Sequence, residues 1–211
     1  RQASRQALAC HLWVHFTKHV TVSWADYEMD VMRKLIALFE PPEKRVYTAA
    51  RSALEACVQT IPKEHWGALV VPLRRALEST GAPSSHLPGL CQPRGASPFV
   101  PVLLHGLLQG TAEQREQGAL GLADLAEKTS ADAIKPFITA MVGPLIRLCG
   151  DRHAPPVKIS IVTSLDTLVR SVPMLVRPFY PQLQRSFQKA LSDTASGTVR
   201  MKACLLYTSL S

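Results

Sequence analysis

Cationic side chains are the residues of this sequence whose spacing could support recognition chemistry. Arg147, Arg152 and Lys158 fall around one predicted turn between two helices. At the same level of the next helix pair lie four further cations: Arg185, Lys189, Arg200 and Lys202. A basic ridge of this kind favours an acidic partner, either RNA phosphates or an acidic protein face. Solvated ends of amphipathic helices would give the same spacing, so spacing alone leaves both interpretations open.

The charge of the chain is concentrated in the half that carries this ridge. Residues 131–211 contain ten Lys or Arg against four Asp or Glu, within a formal net charge of +8 for the whole chain. Hydrophobic residues make up 46% and charged residues 19% of the chain, which is typical of a folded globular protein. No apolar run reaches the roughly 18 residues that cross a bilayer, so no membrane span is expected. Both ends resemble cuts within a longer protein, and we expect a fragment.

Catalytic and metal chemistry is not indicated by the remaining residues. No nucleophile motif surrounds a Ser or Cys, and no glycine-rich phosphate loop is present. His11, His15 and His19 lie one helical turn apart, but no ligands that would complete a metal site can be identified. The five cysteines are widely separated in the sequence, which fits neither a disulfide framework nor a metal site and favours a reducing compartment. We therefore expect a protein that is not an enzyme, with no metal, cofactor or small-molecule substrate.

An internal repeat organises the basic half and must position the ridge. Lys135-Pro136-Phe137 is matched one repeat later by Arg177-Pro178-Phe179. The second helices of the pairs can be aligned on one reference residue each: Tyr47, Arg115, Lys158 and Arg200. Apolar residues then recur seven and ten positions after the reference residue. They are Leu54, Leu122, Leu165 and Tyr207, followed by Cys57, Leu125, Leu168 and Leu210. This recurrence predicts an all-α solenoid of stacked antiparallel helix pairs, in which each pair covers the apolar stripe of its neighbour.

The predicted segments are helices or helix pairs in the following order: a truncated repeat helix at 1–20, a pair at 24–60, helices at 63–128, a pair at 130–172 and a truncated pair at 174–203. The third segment contains a Pro/Gly-rich insertion at 80–97. Two interpretations of the insertion are a structural spur packed over the convex side of the stack, which we favour, and a functional binding loop. Residues 204–211 form an atypical tail that is expected to fit a helix poorly.

Helical periodicity also predicts which faces are buried. The first helix should bury Ala7, Leu8, Leu12, Phe16 and Val20, and the second Tyr27, Val31, Leu35 and Leu38. The third should bury Val46, Ala50, Leu54, Cys57 and Val58. Gly118 and Gly121 fall within a helix and are interpreted as packing residues.

Prolines are expected to mark helix starts and one bend. Pro136 and Pro178 should lie in the first turns of their helices, and Ser130 can cap the first of these. Pro144 falls in the middle of a predicted helix, where it should bend the axis and re-aim the last turn that carries Arg147.

Several stretches of this sequence closely resemble one family. They are residues 113–117, 129–133, 143–147, 150–152, 157–158, 177–179, 181–184 and 189–193, together with the loop 86–95. They resemble the carboxy-terminal HEAT repeats of the general-control translational activators, the ribosome-associated proteins that activate the initiation factor two alpha kinase during amino-acid starvation. The resemblance is strong over residues 80–203 and fainter over 20–79, and the last eight residues depart from it. It implies an all-α HEAT-repeat solenoid and a cytoplasmic location.

The resemblance also implies partners and site residues. Members of this family are scaffolds that sense stalled ribosomes and recruit the kinase by binding its amino-terminal RWD domain. Arg147 matches the arginine that the family uses for kinase binding, and Phe179 matches another position important to that region. We expect Arg152 and Lys158 to support Arg147, and the ribosome to be contacted through the full-length protein. Two alternatives remain: a ridge that binds ribosomal RNA, and a HEAT scaffold for some other protein.

Overall fold

The computed structural model describes residues 2–19, 27–82, 85–192 and 196–209. These residues are largely helical, and no strand occurs among them, which confirms the predicted all-α fold. The α-helices are α1 (Gln2–His19), α2 (Glu28–Ala37), α3 (Lys44–Thr60), α4 (Trp66–Ser79), α5 (Val100–Gln109), α6 (Ala112–Glu127), α7 (Ala131–Ile134), α8 (Ile138–Cys149), α9 (Pro155–Ser171), α10 (Pro173–Val176), α11 (Tyr180–Leu191) and α12 (Gly197–Ser209). Single 3-10 turns precede α4, α8 and α11: Lys63–His65, Lys135–Phe137 and Arg177–Phe179.

The longer helices stack in two neighbouring rows. One row contains α2, α4, α5, α8 and α11, and the other contains α1 and α3, then α6, α9 and α12. Antiparallel pairs join the rows, because α2 packs on α3, α5 on α6, α8 on α9, and α11 on α12. This is the arrangement of a solenoid in which each pair completes the core of the next.

The Pro/Gly-rich insertion packs into the stack beside α3 and the end of α6. Its Leu87 and Leu90 are almost completely buried. The Leu87 backbone N–H donates to the Lys128 carbonyl over 2.9 Å. On the other side, the Arg51 guanidinium of α3 donates to the Pro93 carbonyl over 3.1 Å. The insertion therefore fills the interval between α3 and α6, where the second row has no helix.

The repeat-derived core positions are buried where they are described. Leu54, Leu122 and Leu165 have 0% exposure, as do the partners ten positions after each reference point, which are Cys57, Leu125 and Leu168. Tyr207 and Leu210 lie outside the residues whose side chains are described. The predicted buried face of α3 is also confirmed, since all five of its predicted residues are buried. Each leucine contributes on the order of 2 kcal/mol through burial.

The α5–α6 pair shows how local sequence sets the packing. A Cβ on Gly118 would lie 2.7 Å from the Leu103 carbonyl oxygen, and one on Gly121 would lie 2.6 Å from a Leu103 methyl group. The two helices therefore approach closely only because both positions lack a side chain. α6 begins with a reciprocal capping box, in which the Gln114 N–H donates to the Thr111 hydroxyl and the Thr111 N–H donates to the Gln114 side chain.

The buried face of α1 differs from the prediction. Leu8 and Leu12 are 59% and 62% exposed, whereas Ala7 and Cys10 are buried. α1 carries apolar residues on several sides, so its sequence does not define one face. Its packing on α3 selects the buried side, where the Trp13 indole N–H donates to the Cys57 sulfur. Phe16 is half-buried and Val20 lies outside the described residues.

The buried face of α2 is rotated from the predicted one. Tyr27 is 67% exposed, while Met32, Ile36 and Phe39 are buried. Of the remaining predicted residues, Leu35 is buried and Val31 and Leu38 are half-buried. Two overlapping apolar stripes occur in this helix, and contact with α4 and the insertion selects the second of them.

Three further local expectations are corrected. Ser130 lies at the start of α7, but its side chain makes no capping hydrogen bond. Pro136 and Pro178 lie at the start of the 3-10 turns directly before α8 and α11, and not within the first turns of those α-helices. The tail is helical as far as Ser209 because α12 packs on α9 and α11, and packing overrides weak propensity. Leu210 and Ser211 lie outside the described residues.

Pro144 lies inside the apolar helix α8. α8 runs without interruption from Ile138 to Cys149 and contains Pro144.

Within the described ranges, no single helix combines the length and apolar character needed to cross a membrane. The segments Pro155–Ser171 and Pro173–Leu191 have that length and apolar character only when they are taken together, and they are bent by 115° relative to each other.

Candidate protein-interaction surface at the α8–α9 turn

The turn between α8 and α9 is held tightly by its backbone. The Gly150 N–H donates to the Arg147 carbonyl over 3.2 Å, and the Asp151 N–H donates to the Leu148 carbonyl over 3.1 Å. α9 then starts with Pro155 and its neighbouring proline in the first turn, where a missing N–H carries no penalty. This local sequence gives the turn a restricted backbone on which side chains can be presented.

Arg147 and Arg152 are the exposed cations of this turn. Arg147 lies in the last turn of α8, where the helix dipole favours a positive charge, and Arg152 follows in the loop. Neither guanidinium forms a hydrogen bond or ion pair with any residue in the described ranges. Both can therefore donate hydrogen bonds to a ligand without losing an internal partner.

Lys158 and Lys189 flank the same turn from α9 and α11. The Lys189 ammonium donates to the Gly150 carbonyl over 2.7 Å, which joins α11 to the end of α8. Burial raises the pKa of the Cys149 thiol to about 11, and it outweighs the opposite effect of both lysines. The positive charges of Lys158 and Lys189 therefore both act electrostatically at this turn.

The pKa of His153 is lowered at this turn, by burial and in part by nearby positive charges. Burial is the main cause that lowers the pKa of this imidazole, and the charges of Arg115 and Lys158 lower it further against the opposing effect of Asp151. Its Nε2 atom is buried and has no hydrogen-bond partner among the described residues. Arg115, at the start of α6, adds to the positive potential at this turn, although it is half-buried and its Nε–H donates to the Gly110 carbonyl over 2.9 Å.

Arg115 was missed by the sequence-based prediction, although the repeat register contains the signal. Arg115, Lys158 and Arg200 occupy the equivalent position in three successive second helices. Arg147 and Lys189 are likewise equivalent, one repeat apart, at the ends of α8 and α11. The basic surface therefore repeats with the period of the solenoid, and we call these five residues the periodic cations.

The other predicted residues are placed at different parts of the surface. Arg185 is exposed one turn before Lys189 on α11, and therefore on the same face. Lys202 is half-buried and donates to the Thr163 hydroxyl over 2.8 Å, so it helps to hold α12 on α9. Phe179 is half-buried against the core in the 3-10 turn before α11. It lies roughly 15 Å along α11 from Lys189, at the helical rise of about 1.5 Å per residue.

Metal ligands are not gathered at this surface or elsewhere in the described ranges. Among those residues, no group of three or more His, Cys, Asp or Glu side chains could hold an ion. His15 and His19 of the histidine row stack on each other with ring centroids 5.3 Å apart. What the surface can do chemically is donate charge-assisted hydrogen bonds to anionic groups.

Comparisons with known proteins bear on this helical stack. A family model described as stalled ribosome sensor GCN1-like, HEAT repeats, matches residues 1–94. The chain is 37% identical over 168 residues to the eIF-2-alpha kinase activator GCN1 of Saccharomyces cerevisiae, which covers 80% of the chain. It is 36% identical over 205 residues to the stalled ribosome sensor GCN1 of Homo sapiens, which covers 94% of the chain. This chain is a HEAT-repeat region of the GCN1-like family.

The GCN1-like proteins extend far beyond this region. The match spans 6% of the yeast protein and 8% of the human protein. Protein ILITYHIA of Arabidopsis thaliana is 33% identical over 218 residues, which cover 100% of the chain and 8% of the plant protein. The family model matches the amino-terminal part, where the motif resemblance was fainter, and the relatives extend the match across the basic half.

Proposed function

We propose that this region is a non-catalytic scaffold that binds the RWD domain of the initiation factor two alpha kinase. In this proposal it promotes activation of the kinase on stalled ribosomes in the cytoplasm during amino-acid starvation. The names of the relatives support the general role, since one is an eIF-2-alpha kinase activator and another a stalled ribosome sensor. Contact with the ribosome is assigned to the full-length protein, of which this region is a small part.

The observation that carries the proposal is that the Arg147 side chain is exposed and has no acceptor among the described residues. Its guanidinium is exposed at the end of α8 and has no acceptor within the described residues, and the turn that follows has a restricted backbone. A planar guanidinium can donate two parallel hydrogen bonds to one carboxylate. Such anchors commonly dominate the energy of a protein interface. Arg147 is therefore assigned as the anchor for an acidic side chain of the RWD domain.

The surrounding residues have supporting roles in this proposal. Arg152 and Lys158 bring a second and third cation to the partner at the same turn. Arg185, Lys189 and Arg200 extend the positive potential along the stack and steer an acidic partner towards it. Phe179 contributes at the opposite end of α11, where its exposed edge would meet a partner large enough to cover the helix.

Binding of the purified RWD domain to the 211-residue chain tests the assignment. Arg147→Ala should raise the dissociation constant at least about tenfold, equivalent to about 1.4 kcal/mol, because a charge-assisted contact is lost. Arg75→Ala is the matched control, since Arg75 is an exposed helical arginine of α4. Circular dichroism of the three proteins should superimpose. Equal binding by all three would remove Arg147 from the site.

Ribosomal RNA is the second candidate partner, and the periodic cations are the observation that favours it. Positions repeated along a stack can follow a phosphate backbone. Five phosphate contacts to single-stranded RNA would make the logarithm of affinity fall with a slope of about −3.5 against the logarithm of salt concentration. Docking of a folded domain should depend less on salt and should keep its dependence on Arg147. Parallel salt titrations with the two ligands would separate these functions.

A further inference from the structure

A small polar cavity lies between α3 and the insertion, away from the α8–α9 turn. Its volume is about 220 Å³. The first turns of α3 supply Lys44, Tyr47, Thr48 and Arg51, and the insertion supplies Gly89 and Gln92 to the opposite wall. The cavity thus combines two cations with hydroxyl and amide groups, and no carboxylate from the described ranges lines it.

The two cations of the cavity have no anionic partner within the described residues. Neither Lys44 nor Arg51 forms an ion pair there. One Arg51 N–H group donates to the Pro93 carbonyl over 3.1 Å, which fixes the guanidinium against the insertion. The Nε atom of Arg51 is buried without an acceptor in the same ranges. A positive charge held in this way is stabilised when an anion enters the adjacent cavity.

Tyr47 supplies a hydroxyl donor to the cavity. Its side chain lines the cavity and is only 6% exposed. The hydroxyl makes no hydrogen bond to any described residue and is accessible to solvent, so it can donate to a ligand in the cavity. At the start of α3 the Glu43 side chain makes no capping hydrogen bond, and the Val46 and Tyr47 N–H groups donate to the Glu43 carbonyl, so the amides of Lys44 and Arg45 are the ones without a partner among the described residues. The first amides of a long helix carry partial positive charge and bind oxyanions.

We propose that this cavity binds a single phosphate group on a phosphorylated side chain of a partner protein. Its volume is below the roughly 300 Å³ at which pockets for small molecules begin, and it therefore fits one oxyanion group. A phosphorylated side chain carries a charge of about −1.5 to −2, which the two cations balance. Glu43 directly precedes α3 and Glu40 lies three residues before Glu43, and these two carboxylates would repel an extended polyanion passing over the cavity. A phosphoprotein is therefore favoured over a nucleic acid.

A nuclear magnetic resonance titration of the 15N-labelled full chain tests the proposal. The probes are inorganic phosphate, a Gly-phosphoserine-Gly peptide with blocked ends, and its unphosphorylated form. Phosphate and the phosphopeptide should shift the amide signals of Lys44, Thr48 and Gly89, and the unphosphorylated peptide should not. Lys44→Ala should weaken phosphopeptide binding roughly tenfold, equivalent to about 1.4 kcal/mol. Tyr47→Phe removes only the hydroxyl and should weaken it about threefold.

Arg45→Ala is the matched control, because Arg45 is exposed and adjacent to Lys44 but does not line the cavity; it lines a neighbouring groove that Lys44 and Thr48 also border. It should leave binding unchanged. Absence of a phosphate-dependent shift would overturn the proposal, and so would equal weakening by Arg45→Ala and Lys44→Ala, which would indicate attraction by net charge alone. A single-stranded RNA that displaces the phosphopeptide, with affinity rising with RNA length, would also overturn it by assigning the cavity to a nucleic-acid backbone.

Discussion

Leu165 tests whether neighbouring helix pairs share their stability. Its side chain is completely buried in α9, which packs on both α6 and α12. Leu165→Ala removes three carbon atoms, which at about 0.8 kcal/mol each is a transfer loss of about 2.4 kcal/mol. The cavity left behind adds to this loss, so we expect about 3–4 kcal/mol in total. Urea denaturation followed by circular dichroism measures this free energy of unfolding.

Hydrogen exchange in the same variant shows where the loss acts. Because each pair completes the core of its neighbours, exchange should become faster in α6 and α12 as well as in α9. Leu12→Ala is the matched control, since Leu12 is 62% exposed and its truncation should cost less than about 1 kcal/mol. Faster exchange confined to α9, or a loss as small as that of the control, would refute the coupling between pairs.

Three further predictions address single groups. Gly118→Ala brings a Cβ to 2.7 Å from the Leu103 carbonyl oxygen, so we expect a loss on the order of 2 kcal/mol in urea denaturation, and unchanged stability would contradict the close approach of α5 and α6. In nuclear magnetic resonance spectra, His153 should titrate with a pKa below its ordinary value, and this pKa should rise in Lys158→Ala. The contribution of His153 to protein stability is present above the unfolded pKa of about 6.5 and is lost as pH falls through the lower folded pKa. Burial raises the pKa of Cys149 to about 11, so alkylation of the native protein at pH 8 should spare this thiol, and rapid labelling at pH 8 would contradict its burial. The stability of the protein should also fall as pH rises from the unfolded pKa of the thiol towards 11.

The parts of the fold that follow the repeat could be predicted from the sequence. Leu122 and Leu165 are buried as expected because the same register recurs in successive pairs, and repetition distinguishes a core position from a chance apolar residue. The faces of α1 and α2 could not be predicted in this way. Leu12 and Tyr27 belong to stripes that are apolar enough to be buried, and contacts with distant segments select other sides.

The candidate site was predictable only in part for a related reason. The exposure of Arg147 and Arg152 follows from their positions at a helix end and in a turn. Lys202 was assigned to the same basic ridge, yet its ammonium donates to the Thr163 hydroxyl and helps to hold α12 on α9. Whether a long cationic side chain reaches solvent or a neighbouring helix depends on packing between repeats, which local sequence does not encode. The cavity beside α3 depends on the path of the insertion and has no sequence signature.

Site-specific photo-crosslinking tests the central claim, that a basic surface at the α8–α9 turn receives the RWD domain. A photoreactive amino acid placed at Arg152 lies in the exposed turn, and the same group at Arg33 lies on the exposed face of α2 as a control. The account predicts an RWD-domain crosslink from position 152 that disappears on addition of Arg147→Ala, and none from position 33. Equal crosslinking from both positions, or crosslinking from position 33 alone, would contradict it.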